Sequence, residues 1–230
     1  MRALIALVIL ALPGWAGAHP EDEFCVPGEG DLDPALCEAL NALQTGGEPR
    51  PLLDAQGEEL GALATAGRYV GIGVRHILPG GLDHILFVLA LFLTSTKARA
   101  LVLQVTMFTL AHSLTLGMAA AGWLTPNAAW VEALIAATIA FVAIENLFVE
   151  RLPRWRLPLV FAFGLVHGLG FAGFFGELGL PDKQFLAGLV GFNVGVELGQ
   201  LGVVLVALGL AVAVRRGFAA AGWPPSTWRR

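Results

Sequence analysis

Charged residues are scarce in this chain. Asp, Glu, Lys and Arg make up 14% of its 230 residues, against about a quarter in an ordinary soluble domain. Apolar residues make up 56%, and the mean hydropathy is +0.71. This balance argues against a soluble globular protein and predicts an integral protein of the lipid bilayer.

Several function signatures are lacking as well. No basic patch interleaves with aromatic residues, so nothing supports nucleic acid as a partner. Phosphate-cradling and Ser-His-Asp motifs are absent, and the many glycines fall within apolar runs, where helix packing explains them.

Cysteine is also rare. Cys25 and Cys37 both lie in the polar N-terminal part, and their spacing excludes a CxxC metal or redox site. In an oxidising compartment they most simply form one disulfide.

The N-terminal part divides into a leader and an acidic segment. Residues 1–18 carry one cation, a short apolar run and Ala16-Gly17-Ala18, which predict a cleaved signal peptide; an uncleaved anchor is the alternative. Cleavage leaves His19 at the mature N-terminus, where its amine and imidazole are candidate metal ligands. Residues 19–65 hold more than half of the 18 carboxylates. We expect a small periplasmic segment there, which either concentrates cations or is merely a solvated face.

Apolar runs fill the rest of the chain. They predict an all-α polytopic membrane bundle of about five to six helices over residues 66–216, followed by a cytoplasmic tail at 217–230. The predicted spans are 67–95 with a break at Pro79-Gly80-Gly81, 100–121, 129–149, 157–176 and 184–213. The cation-rich joints and the tail fall on one side, which places them inside, in agreement with an exported N-terminus.

Ionisable residues within these spans form the candidate site. A charged side chain in a bilayer costs at least about 2.5–3.5 kcal/mol, so such residues are functional candidates by default. The candidate metal ligands are His84, His112, His167, Asp83, Glu197 and His76. The candidate supporting or pathway residues are Asn193, Glu132, Glu145, Asn146, Ser113 and Gln200. The alternative is a hydrogen-bond network that only clamps the helices together.

The donor types indicate the class of metal. Imidazole nitrogen with carboxylate oxygen suits divalent Ni, Co or Zn, whereas Cu⁺ prefers thiol and thioether ligands. Asp83 and His84 are adjacent and cannot point the same way on a helix, so we expect one to ligate while the other orients a neighbour.

Glycine spacing predicts how two of the spans meet their neighbours. Gly191, Gly195 and Gly199 form a row on the last span, and Gly164, Gly168, Ala172 and Gly176 form another on the fourth. Small-residue rows let helix backbones approach closely. Asn193 and Glu197 lie off the first row, on the side we expect to face a polar centre.

Five blocks in order resemble the HupE/UreJ family of bacterial membrane proteins. They read GVRHILPGGLDHILFVLALFL, FTLAHSLTL, EALIAATIAFVAIEN, FGLVHGLGFAGFF and FNVGVELGQ. The resemblance covers residues 67 to about 205. It implies an inner-membrane nickel or cobalt permease associated with hydrogenase and urease systems, with metalloenzyme maturation proteins as candidate partners.

Two departures from the family pattern affect the ligand set. The family's His-Asp-His motif falls on His76, Asp83 and His84, but with one extra intervening residue, which leaves two alternatives for His76: a metal ligand, or a residue that faces solvent or a headgroup. A second motif keeps His167 but has Gly164 in place of a histidine and Phe171 in place of a glutamate. The chain therefore resembles a divergent branch of the family.

Three functions are compatible with these ionisable residues and with the family resemblance. The favoured one is transport of a divalent cation, with Asp83 and Glu197 as candidates for proton exchange and Glu145 as the next station. The second is an intramembrane zinc enzyme in which three histidines leave a position open for water. The third is a membrane scaffold stapled by metal or hydrogen bonds. Transport rather than catalysis is the prediction.

Overall fold

The structure is a computed structural model that describes residues 58–95, 97–148, 153–171 and 182–221, without the side chains of residues 182 and 183. The predicted signal peptide, His19 and the predicted Cys25–Cys37 disulfide lie outside these residues. The described part forms six helices and contains no sheet. They are α1 (Ala62–Ile77), α2 (Leu82–Thr94), α3 (Ala98–Ala120), α4 (Ala128–Phe148), α5 (Arg156–Gly170) and α6 (Asp182–Ala220).

These helices confirm the predicted membrane bundle. Within the described ranges, α3, α4 and α6 are each long and apolar enough to cross a membrane, and α1 with α2 forms a fourth, bent candidate. α5 is a shorter apolar helix of 15 residues. Helices are the expected solution because a lipid environment offers no partner for backbone polar groups.

The outer surface is apolar. Leu110 and Leu114 on α3 are 57% and 52% exposed, and Leu205 on α6 is 69% exposed. Large exposed leucines at this density are typical of a surface that faces lipid rather than water. Polar side chains lie mostly inside, where they bond to one another.

Two glycine rows bring helices into contact, as their spacing predicts. The row on α6 packs on α1: a Cβ at Gly195 would lie 2.2 Å from the Val70 carbonyl oxygen, so no larger residue fits. The described part of the second row packs α5 on α3, with Gly164 against the Phe108 backbone. α6 therefore lies on α1 by one face, and its Asn193 side faces α3.

A sharp corner joins α1 and α2. The two helices are bent by 72° at the predicted Pro-Gly-Gly break. A Cβ at Gly81 would lie 2.4 Å from the His76 carbonyl oxygen, so the corner needs glycine at this position for close approach. This corner brings His76, at the end of α1, near Asp83 and His84, at the start of α2.

Candidate metal centre

Four histidines from four different helices meet in the interior. His76 on α1, His84 on α2, His112 on α3 and His167 on α5 are all buried. The ring centre of His84 lies 4.9 Å from that of His76, 5.6 Å from that of His112 and 5.3 Å from that of His167. His84 is thus the centre of the cluster.

The potential ligand atoms fall into two groups that share His84. One consists of His76, His84 and His112, and the other of Asp83, His84 and His167. Within each group the ligand atoms lie within 4.8 Å of one another. An ion at the centre of such a triangle lies at most about 2.8 Å from each atom, close to the roughly 2.0–2.1 Å of a zinc–imidazole bond. Side-chain shifts of less than about 1 Å would close either group on an ion.

The hydrogen bonds of His112 assign its tautomer. The Asn193 amide nitrogen donates to the Leu189 carbonyl, which leaves the Asn193 Oδ1 facing His112 Nδ1 at 3.2 Å. Nδ1 therefore carries the proton and donates. The lone pair is then on Nε2, which is buried and has no hydrogen-bond partner.

His84 has the same arrangement. Its Nδ1 lies 3.0 Å from Asp83 Oδ1, and a carboxylate in this position accepts from an N–H. Its Nε2 is buried without a hydrogen-bond partner. Asp83 thus orients His84.

His167 is oriented by a threonine on α4. The Thr138 hydroxyl donates its hydrogen to the Ile135 carbonyl at 2.7 Å, so it accepts from His167 Nε2 at 2.9 Å. The lone pair of His167 is then on Nδ1, 3.9 Å from Asp83 Oδ2. A lone pair and a carboxylate oxygen facing each other inside a protein repel, unless a cation lies between them.

Three histidines therefore each have one ring nitrogen fixed by an acceptor and the other available. His84 Nε2, His112 Nε2 and His167 Nδ1 are buried and have no hydrogen-bond partner. Buried polar atoms are normally satisfied, so these three nitrogens are candidate metal ligands. Support of a metal-binding histidine by a hydrogen bond at its other nitrogen is a general property of metal sites.

Phenylalanines enclose the cluster. Phe108 lies beside both His84 and His167, with ring centres 5.6 and 5.0 Å away, and Phe87 lies 5.3 Å from His167. Phe171 lies 4.1 Å from His76 and stacks on Phe192. These rings surround the nitrogens with apolar surface, so a bound cation would interact strongly with its ligands.

The structure distinguishes the two alternatives for His76. Its side chain is only 7% exposed and lies inside the cluster, not in solvent or headgroups. The reason is the corner at residues 78–81, which folds the end of α1 back over the start of α2 and so accommodates the extra residue of the motif.

Other predicted site residues lie outside the cluster. Glu197 accepts a hydrogen bond from Thr106 at 2.6 Å and belongs to neither potential ligand group. The Gln200 side-chain oxygen lies 3.1 Å from the Thr109 hydroxyl, and Ser113 donates to the Thr109 carbonyl within α3. Glu132 is half-buried on α4. Of the predicted supporting residues, Asn193 forms a hydrogen bond to a cluster histidine, His112.

Glu145 and Asn146 belong to a second polar cluster. Glu145 forms an ion pair with Arg156, and both side chains are almost fully buried. Arg156 also donates to Gln104 and Thr94, while Asn146 accepts from Thr94 and donates to the Ala90 carbonyl. Glu145 is therefore neutralised by a partner, and a role as the next metal station would require Arg156 to move.

Two residues that sequence reasoning missed have structural roles here. Arg156 is only 2% exposed. From the sequence it is expected to be a solvated cation in a polar connection on the cytoplasmic side. Its position opposite Glu145 results from the packing of α5 on α4. Thr138 was difficult to identify from the sequence, because it is one hydroxyl within an apolar span and its partner, His167, is distant in sequence.

Comparison with known proteins gives one match. The family model described as HupE / UreJ protein matches residues 55–226. No curated protein and no solved structure matches the chain.

Proposed function

The chain belongs to the HupE/UreJ family, and from this membership and the buried histidine cluster we propose that it carries Ni²⁺ or Co²⁺ across the membrane. The observation that carries the proposal is that His84 shares one potential ligand group with His112 and another with His167, and that each of these three histidines has a buried ring nitrogen without a hydrogen-bond partner. A structural clamp would be expected to use these nitrogens for hydrogen bonds to neighbouring helices.

The donor set fits the proposed cargo. Neutral imidazoles and one carboxylate suit borderline divalent cations, and no thiol is present among the described residues. Asp83 reduces the net charge of a bound dication, which favours binding inside an apolar enclosure. Because two three-ligand groups share His84, a cation can exchange partners around one fixed histidine.

The proposed direction is inward. The acidic segment at 19–65 would lie in the periplasm and the C-terminal tail in the cytoplasm of a bacterial inner membrane, as the cation distribution predicts. Thr138 and Glu145 are seven residues apart on α4, which places the Glu145–Arg156 pair about 10 Å from the His167 contact along the helix axis. This pair would close the inner side of the path in the conformation described. Metalloenzyme maturation proteins are the proposed recipients.

Uptake into proteoliposomes tests the proposal. Purified protein is reconstituted, and uptake of Ni²⁺, Co²⁺ and Zn²⁺ is measured with the wild type and with His84→Ala and His167→Ala. We expect Ni²⁺ or Co²⁺ uptake by the wild type and at least a tenfold loss in both variants, because each removes a ligand. Thr65→Val is the matched control, since Thr65 is also buried but belongs to neither potential ligand group.

Binding in detergent separates the alternatives. Wild-type protein that binds Co²⁺ but transports none of the three ions would favour the scaffold or the zinc enzyme. Wild-type protein that neither binds nor transports them would contradict a metal function for the cluster.

A further inference from the structure

A second group of polar side chains lies between α3 and α6. Thr106 donates to Glu197 at 2.6 Å, and the Thr109 hydroxyl lies 3.1 Å from both the Gln200 side-chain oxygen and the Val105 carbonyl oxygen, so its single hydrogen serves one of the two. The helices are antiparallel here, since His112 pairs with Asn193 and Thr106 with Glu197. From Thr106 to Thr109, α3 runs in one direction, and from Glu197 to Gln200, α6 runs in the opposite direction. The Thr109–Gln200 contact therefore crosses the Thr106–Glu197 contact. The four side chains therefore share one patch.

Two buried polar atoms in this patch have no hydrogen-bond partner. Gln200 is fully buried, and its amide nitrogen has no hydrogen-bond partner. Glu197 Oε2 is also buried at the atom level and has no hydrogen-bond partner. One oxygen of the carboxylate is thus satisfied by Thr106, while the other is a buried atom without a hydrogen-bond partner on a side chain that is half-buried as a whole.

An unpaired carboxylate oxygen in such a place needs a positive charge or a proton. Isolated ionised groups are strongly disfavoured in an apolar medium, and acids within membrane spans normally pair with a partner. Three further oxygens belong to the same patch: the hydroxyls of Thr106 and Thr109, and the side-chain carbonyl oxygen of Gln200. A site that only takes up a proton has no need of them.

The chemistry of these oxygens selects a class of cation. Oxygen donors prefer hard cations, whereas the histidine cluster offers nitrogen. Ca²⁺ takes six to eight oxygens, and Mg²⁺ demands octahedral geometry and retains several waters, so neither suits four side chains with a single carboxylate. One carboxylate neutralises one positive charge. We propose that Thr106, Thr109, Glu197 and Gln200 form a binding site for Na⁺ between α3 and α6.

The proposed site is next to the histidine cluster but separate from it. Thr109 lies three residues from His112 on α3, about 4.5 Å along the helix axis. The connection between the two is the His112–Asn193 hydrogen bond, which holds the same two helices together. Na⁺ in this site would fasten α3 to α6 beside the metal ligands, and the inference does not rest on transport of Ni²⁺ or Co²⁺.

Thermal unfolding in detergent tests the site with Na⁺ as the probe. The melting temperature is measured at pH 8 in NaCl, KCl and choline chloride at equal ionic strength. At a Na⁺ concentration tenfold above the dissociation constant, we expect Na⁺ to raise the melting temperature by about 3–6 °C relative to choline. Glu197→Gln and the nearly isosteric Thr106→Val should each abolish this shift, so the test survives if one of the two fails to fold.

Matched controls locate the effect. Glu132→Gln removes a half-buried carboxyl on α4 and should keep the Na⁺ shift. His84→Ala should keep it as well, while losing Co²⁺ binding, so failure of the histidine site and failure of the Na⁺ site give different results. The proposal is overturned by an equal shift in choline or K⁺, or by a shift that persists in Glu197→Gln. A stability that changes with pH but not with Na⁺ also overturns it, since Glu197 would then only take up a proton.

Discussion

Replacing Thr138 with valine tests the assignment of the His167 tautomer. The change keeps the branched shape of the side chain and removes one oxygen. That oxygen accepts from His167 Nε2 at 2.9 Å and is almost fully buried. The Thr138 hydroxyl also donates to the Ile135 carbonyl within α4. Loss of that second hydrogen bond should have little effect.

The expected loss of stability and of Co²⁺ affinity follows from the His167 N–H that Thr138→Val leaves without an acceptor. An unpaired N–H on His167 Nε2 inside the bundle costs about 1–3 kcal/mol. The ring also loses the contact that aims Nδ1 at Asp83, and losing such an outer contact typically reduces metal affinity about 10–100-fold. We therefore expect the Co²⁺ dissociation constant of Thr138→Val to rise about 10–100-fold, with a melting temperature lower by a few degrees.

The assay is calorimetric titration of Co²⁺ into purified protein in detergent. Thr65→Val is the matched control, because Thr65 is also buried but its hydroxyl donates to the Leu60 carbonyl, beyond the start of α1. The control should lose some stability and no Co²⁺ affinity. Wild-type affinity in a folded Thr138→Val protein would refute the tautomer assignment, and an equal loss of affinity in Thr65→Val would refute its specificity.

Three further predictions concern the second polar cluster, the corner and the divergent motif. Arg156→Leu leaves Glu145 buried without its partner and should destabilise the protein by about 3–5 kcal/mol, whereas Arg156→Leu with Glu145→Leu should recover most of that loss in detergent unfolding assays. Gly81→Ala should displace the end of α1 and weaken Co²⁺ binding, whereas Gly71→Ala, where nothing lies within 4 Å of the new Cβ, should have less effect. Phe171→Glu places a carboxylate beside His76 and should raise Co²⁺ affinity at pH 8; unchanged affinity would show that His76 lies outside the metal site.

The divergent motif has a structural explanation. Phe171 occupies the place of a glutamate in the motif of related sequences, and here it stacks on Phe192 and covers His76. Gly164 stands where that motif has a histidine, and a Cβ at Gly164 would lie 2.5 Å from the Phe108 carbonyl oxygen. The chain has therefore exchanged two polar side chains for close helix packing and an aromatic wall.

Much of the fold could be predicted from the sequence because it depends on local properties. Apolar runs of spanning length give helices in lipid, the Pro-Gly-Gly segment interrupts one, and glycine rows mark the packing faces. The histidines were identifiable for the same reason, since ionisable residues within apolar runs are rare and need a function.

Pairings between distant residues could not be predicted in this way. Arg156 looked like a solvated cation because its joint is polar, and only the packing of α5 on α4 places it opposite Glu145. Glu197 looked like a metal ligand because of its depth, but the crossing of α3 and α6 directs it to Thr106 instead.

The sequence by itself determined that this is a helical membrane protein with buried histidines and carboxylates, because hydropathy and residue type are properties of short segments. Only the tertiary structure decided which of those residues form one site. The distances between side chains on different helices depend on the 72° corner and on the glycine contacts, which fix how far each helix is rotated and shifted against its neighbours. For that reason His76 lies in the histidine cluster, whereas Glu197 lies outside both potential ligand groups.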